Sequence, residues 1–81
     1  MTTANYISKD QHFQNASTTY WFILDGTDYG TGKTFESEEF GIVDCNGKKS
    51  VVDVDGAPVA NEYTAAIVLR DCKITDEMIY A

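Results

Sequence analysis

The chain has few of the residues on which metal, disulfide and catalytic chemistry depends. Its 81 residues include two cysteines, one histidine and one proline. Cys45 and Cys72 lie far apart and form no CxxC pair, and only His12 could join them, so a four-ligand zinc site is excluded. We expect both cysteines to remain thiols packed as small hydrophobic side chains, with a disulfide between them as the less favoured alternative.

Catalytic motifs are lacking as well. No base stands at a suggestive spacing from a Ser, Thr or Cys nucleophile. Gly32-Lys33-Thr34 lacks the preceding glycine spacing of a phosphate-binding loop, and the fragment Asp53–Gly56 is followed by apolar residues rather than by further calcium ligands. We therefore predict a protein that is not an enzyme, with no catalytic residues, no metal and no cofactor.

Positive charge is scarce, and the acidic excess is concentrated in one part of the chain. Six basic residues face 13 acidic ones, for a formal net charge of −7. Between Ile23 and Asp44 only Lys33 opposes a run of acids: Asp25, Asp28, Glu36, Glu38, Glu39 and Asp44. Such a surface repels phosphate backbones and anionic membranes and attracts basic protein surfaces. We expect neither nucleic acid nor a membrane as a direct partner.

Long apolar runs and a signal-like leader are also missing. No segment approaches the roughly 18 to 20 apolar residues of a membrane helix, and the first residues form neither the basic leader nor the apolar run of a signal peptide. We expect a cytoplasmic protein. A chain of this length supports one small domain over residues 1–81 with one modest core. Residues 1–17 form a polar N-terminal segment, in which Ser8 to Gln11 have the spacing of a capping box and favour a short helix over residues 9–15.

The pattern that is present has period two and is punctuated by glycine turns, which is typical of antiparallel strands. It predicts a mainly β fold, a small antiparallel sheet or partly open barrel of about four to six strands with at most two short helices. Turns are predicted at Asp25-Gly26, Asn46-Gly47 and Asp55-Gly56, and the Asn-Gly pair marks the clearest hairpin.

Two segments are apolar on both faces and are predicted to be central strands, one over Thr18–Asp25 and the other over Tyr63–Ile74. A second short helix is predicted after Thr75. The predicted core comprises Trp21, Phe22, Ile42, Val52, Ile67 and Leu69.

The acidic stretch carries the functional prediction. Residues i and i+2 of a strand share a face at roughly 6.6 to 6.8 Å, about twice the rise per phosphate of one DNA strand. Glu36 with Glu38, and Asp53 with Asp55, could thus mimic phosphates in a basic channel. The alternative is that the acids only keep a small β protein soluble and its edges unpaired. The predicted partner-binding residues are Asp25, Asp28, Tyr29, Glu36, Glu38, Glu39 and Asp44.

In size, acidity, lack of catalytic motifs and intracellular start, the chain resembles small phage-encoded anti-defence proteins, including anti-CRISPR proteins. The resemblance implies a non-enzymatic inhibitor in the host cell cytoplasm that blocks a basic, nucleic-acid-binding surface of a larger protein or ribonucleoprotein. The alternative is a structural or assembly subunit, a homodimer included, that associates through apolar sheet edges around Val51, Val52 and Val54.

Overall fold

The computed structural model describes all 81 residues as one antiparallel sheet followed by two helices. The strands lie side by side in chain order and are β1 (Thr2–His12), β2 (Ser17–Asp28), β3 (Lys33–Cys45) and β4 (Lys48–Val52). The helices are α1 (Glu62–Asp71) and α2 (Asp76–Tyr80). The prediction of a mainly β, antiparallel fold with at most two short helices is confirmed. Neither helix is long and apolar enough to cross a membrane.

The β3–β4 hairpin turns at Asn46-Gly47, as predicted. Both residues have positive φ, +54° and +86°, which is the geometry that favours an Asn-Gly pair between twisted strands. The carboxylate of Asp44 accepts a hydrogen bond from the Gly47 N–H at 2.9 Å and fixes the turn. The turn at Asp55-Gly56 is also present, since the Gly56 N–H donates to the Asp53 carbonyl at 2.9 Å.

The predicted turn at Asp25-Gly26 is wrong, because β2 continues through it to Asp28. The glycine has a different reason to be there. Its φ is +105°, and a Cβ at this position would lie 2.3 Å from the Met1 carbonyl oxygen. Gly26 therefore lets the start of β1 approach β2 closely, and the β2–β3 connection follows at residues 29–32.

The prediction of a central strand over Tyr63–Ile74 is wrong, because this segment contains most of α1. The side chain of Asn61 caps this helix by accepting from the N–H groups of Tyr63 and Thr64. The buried residues Thr64, Ile67 and Val68 have the spacing of one helix face, whereas the short apolar run that contains them also fits a strand buried on both faces. Packing against the sheet decided between them.

The helix predicted over residues 9–15 is also wrong, because β1 extends from Thr2 to His12. There the polar side chains that resemble a capping box belong to an exposed edge strand. Helix α2 begins after Thr75, as predicted, although the Thr75 side chain makes no capping hydrogen bond.

The core lies between the helices and one face of the sheet. That face presents Tyr20, Phe22 and Leu24 from β2, and α1 contributes Ile67 and Val68. The core cluster consists of Tyr20, Phe22, Leu24, Phe35, Phe40, Ile42, Val51, Ile67, Val68 and Cys72. Four predicted core residues are indeed buried: Phe22, Ile42, Val52 and Ile67.

The prediction that Leu69 and Trp21 lie in the core is wrong. Leu69 is 40% exposed because α1 turns it away from the sheet. Trp21 is only partly buried and lies on the sheet face opposite the helices, because it alternates with the core residues Tyr20 and Phe22.

Candidate functional site

The sheet face opposite the helices, called the open face below, carries an apolar strip. Trp21 pairs with Gly41, which pairs in turn with Val52, and Thr19 pairs with Val43. Paired residues share a face, so these side chains lie together across three strands. The strip consists of Thr19, Trp21, Ile23, Val43 and Val52, of which Thr19 and Val52 are buried and the other three are half-buried. No helix covers it.

Three acids of the predicted binding set lie at one end of this strip. Asp25 follows Ile23 at a two-residue interval on β2, and Glu39 pairs directly with Ile23. Glu36 lies opposite Asp25, at an irregularity in the β2–β3 pairing. We call Asp25, Glu36 and Glu39 the acidic end of the open face.

The irregularity is a bulge in β3. Pairing passes from Leu24 opposite Glu38 to Gly26 opposite Phe35, which leaves Glu36 and Ser37 together opposite Asp25. Ser37 has a φ of +51°. The Asp25 carboxylate holds it there, accepting from the Ser37 N–H at 2.8 Å and from its hydroxyl at 3.1 Å.

The bulge separates two acids that simple alternation would place together. Leu24 and Phe35 both belong to the core. Glu38 pairs with Leu24 and so lies on the helix side of the sheet, where it is exposed, whereas Glu36, next to Phe35, lies on the open face. The predicted phosphate-like spacing of Glu36 and Glu38 on one face is therefore wrong.

The second predicted pair, Asp53 and Asp55, does not lie on a strand. Both residues belong to the turn after β4. The Asp53 carboxylate accepts from the backbone N–H of Asp55 at 2.9 Å and from that of Ala57 at 3.0 Å. This carboxylate holds a turn together and is not presented in a row with Asp55.

Asp28 is buried and has a structural partner. Its carboxylate accepts from the Arg70 guanidinium at 2.9 Å and from the Thr31 hydroxyl at 2.8 Å. The same guanidinium also donates to Asp71, whose carboxylate accepts from the hydroxyl of Thr2. This network, called the Arg70 network below, ties β1, the end of β2 and α1 together.

The remaining predicted site residues are placed as follows. Asp44 is half-buried, pairs with Lys49 and fixes the β3–β4 turn. Tyr29 is 83% exposed in the β2–β3 connection. The structure thus brings Asp25, Glu36 and Glu39 together on the open face, leaves Glu38 and Tyr29 exposed elsewhere, and uses Asp28 and Asp44 within the fold.

The Arg70 network makes stability depend on pH in the acid range. Hydrogen bonds from Thr31 and then Arg70 lower the pKa of Asp28, and hydrogen bonds from Arg70 and then Thr2 lower the pKa of Asp71. Hydrogen bonds to Asp71 and Asp28 in turn raise the pKa of Arg70. A carboxylate whose pKa is lower in the folded state stabilises that state above its unfolded pKa, about 4, and loses this contribution as pH falls further.

We therefore expect the thermal midpoint of the protein to fall steeply as pH is lowered from about 4 to about 2. Arg70→Gln should lower the midpoint at neutral pH and flatten the acid dependence, because its side chain cannot pair as a cation with either carboxylate. Circular dichroism melts of both proteins across pH provide the measurement. Parallel profiles for the two proteins would show that the network does not contribute.

The open face also contains a cleft of about 340 Å³ beside Trp21. Its floor is formed by Thr19, Trp21, Val43 and Val52, and its rim by Asp10, His12, Asn15 and Gly56. The indole N–H donates to the Asp10 carboxylate at 3.0 Å. A Cβ on Gly41 would lie 2.9 Å from the indole Cζ3, so the missing side chain makes room for the ring.

The sequence does not predict this cleft. Trp21 is predicted in the core, and Asp10 and His12 in a helix, whereas β1 brings them beside Trp21 through the pairing of Asp10 with Thr19. The sequence contains one signal for the cleft: the segment Thr18–Asp25 is apolar on both faces. Since one core covers only one face of a sheet, the second apolar face indicates a further apolar surface.

The two cysteines are not joined to each other, and the possible metal ligands are not clustered. Both cysteines are free thiols, and burial raises the pKa of Cys72 to about 12, which keeps it protonated. His12 is exposed. No three His, Cys, Asp or Glu side chains come close enough together to hold a metal ion.

Comparison with known proteins gives no relative. The chain matches no protein-family model, no curated protein and no solved structure.

Proposed function

We propose that this chain is a non-enzymatic inhibitor that binds a basic, nucleic-acid-binding surface of a larger protein or ribonucleoprotein, in the manner of anti-CRISPR proteins encoded by phages. The acidic end of the open face makes the contact. One observation carries the proposal: both ion pairs of the molecule belong to Arg70, so Asp25, Glu36 and Glu39 have no cationic partner within the chain.

The lysine side chains of the sheet lie away from the acidic end or are engaged elsewhere. The N-terminal ammonium, which lies beside Gly26, donates to the Thr27 carbonyl at 2.6 Å. Lys9 donates to the Ile79 carbonyl at 2.8 Å, and the ammonium of Lys33 lies 5.7 Å from the centre of the Phe35 ring, on the helix side of the sheet. Lys48 and Lys49 begin β4 at the far end of the β3–β4 hairpin. A basic partner can therefore approach the acidic end without displacing an internal ion pair, and long-range attraction speeds the encounter.

The apolar strip next to the acidic end also supports the open face as the binding interface. Protein interfaces generally have an apolar centre and a polar rim, and charges at the rim direct association while buried aromatic groups provide affinity. Trp21 and Ile23 lie in the strip, and Glu39 pairs with Ile23. The open face thus has both parts of such an interface.

The test is competition with nucleic acid. Purified CRISPR effector complexes and nucleases are assayed for binding of labelled DNA or RNA with increasing amounts of this protein. We expect one class of complex to lose nucleic-acid binding, and the inhibition to weaken as salt rises, because charges at a surface are screened over about 8 to 10 Å at physiological ionic strength. A partner that binds this protein and nucleic acid simultaneously, with no effect of salt, would contradict the proposal.

A structural or assembly subunit that associates through sheet edges remains the second candidate, and one observation favours it. β1 is an edge strand of 11 residues and pairs only with β2. The predicted edge around Val51 and Val52 is less suitable, because both valines are buried and the Val51 carbonyl accepts from the Val59 N–H at 3.1 Å. Only Val54 is well exposed there. Light scattering would reveal this candidate as a homodimer that persists at high salt.

A further inference from the structure

The Trp21 cleft combines three chemical features within one space. An aromatic ring and two valines form its floor together with Thr19, and a carboxylate stands at its rim. The hydrogen bond from the indole N–H to Asp10 Oδ2 fixes the ring and the carboxylate relative to each other. Asp10 Oδ1 accepts no hydrogen bond within the chain and can receive one from a ligand.

These features match an arginine side chain. Guanidinium is planar, stacks on aromatic rings and donates hydrogen bonds to carboxylates, while its methylene stem packs on apolar side chains. A lysine ammonium has no plane to stack and is more strongly hydrated. An anionic ligand would meet the Asp10 charge. The volume of about 340 Å³ leaves room for one long side chain.

The position of the cleft agrees with the charge of the open face. The cleft and the acidic end lie on the same face, and Trp21 and Asp25 are four positions apart on β2, about 13 Å. A basic segment in extended conformation can therefore place one side chain in the cleft and others beside Asp25, Glu36 and Glu39.

We propose that the Trp21 cleft binds an arginine side chain of the basic protein partner. This inference rests on the function proposed above and names the residue type that anchors the contact. Trp21 stacks on the guanidinium, Asp10 accepts its hydrogen bonds, and Val43 and Val52 pack against its stem.

The test uses two capped heptapeptides that alternate glycine with arginine or glycine with lysine and carry equal charge. Trp21 is the only tryptophan, so its fluorescence reports occupancy of the cleft. We expect the arginine peptide to bind about tenfold more tightly than the lysine peptide, as one added charge-assisted hydrogen bond allows. Asp10→Asn keeps an acceptor for the indole N–H and should reduce this preference to the part that stacking on Trp21 provides. Asp76→Asn makes the same charge change on α2 and should leave it intact.

Each of the following outcomes would contradict recognition of a partner's arginine by the cleft. Equal binding of the two peptides, or an unchanged preference in Asp10→Asn, would exclude arginine recognition by the cleft. Capped free arginine that binds as tightly as the peptide would make the cleft a small-molecule site. None of these results bears on competition between this protein and nucleic acid, so failure of the cleft and failure of the proposed function are distinguishable.

Discussion

Replacing Leu24 with alanine should destabilise the protein by about 3 to 5 kcal/mol, whereas the same replacement of Leu69 should cost less than about 1 kcal/mol. Leu24 is 0% exposed in the centre of the core, and Leu69 is 40% exposed on α1. The first change leaves a cavity in a core that consists largely of aromatic and β-branched side chains. The second removes contacts that solvent already replaces in part.

The expected loss at Leu24 is large relative to the whole stability of the molecule. A domain of this size is stable by roughly 4 to 12 kcal/mol, so Leu24→Ala leaves a marginally folded chain. Urea unfolding followed by circular dichroism gives both free energies, and Leu69→Ala is the matched control because it deletes the same atoms. Equal losses would mean that α1 does not turn Leu69 away from the sheet.

Part of this architecture could be predicted from local sequence, because some elements carry their own geometric requirement. The Asn46-Gly47 turn is one, since few residue pairs accept two positive φ angles. The segment Tyr63–Ile74 has no such requirement, and its short apolar run fits either a strand or a helix. Packing against the sheet selects the helix. The apolar face formed by Tyr20, Phe22 and Leu24 is buried when α1, capped by Asn61, packs on it.

The candidate site likewise has a part that local sequence predicts and a part that depends on strand pairing. The position of the acids in the sequence was sufficient to predict an acidic surface, but not which acids share a face. Ser37 and Asp25 form a bulge that shifts the period-two pattern, and Asp28 is paired with Arg70, which lies 42 residues away in the chain. The cleft combines residues from β1 to β4, so it depends on strand pairing that no local pattern encodes.

Reversing both Glu36 and Glu39 to lysine should weaken partner binding at least about 100-fold, because close charge pairs across an interface are worth about 1.5 kcal/mol or more each. The thermal midpoint should change little, since neither glutamate is ion-paired within the chain. Asp76→Lys with Glu77→Lys is the matched control. It makes the same charge change at exposed positions of α2, on the opposite side of the sheet.

Glu38→Lys tests whether the open face, rather than the net charge of the chain, determines partner binding. Glu38 is next to Glu39 in the chain, but its pairing with Leu24 places it on the helix side of the sheet. If the open face is the interface, Glu38→Lys should weaken binding much less than Glu39→Lys, whereas an interface that senses only net charge would respond to both alike. Binding constants for the four variants across a salt series decide the matter. Wild-type affinity in the Glu36/Glu39 variant would remove the acidic end from the interface and favour association through the β1 edge.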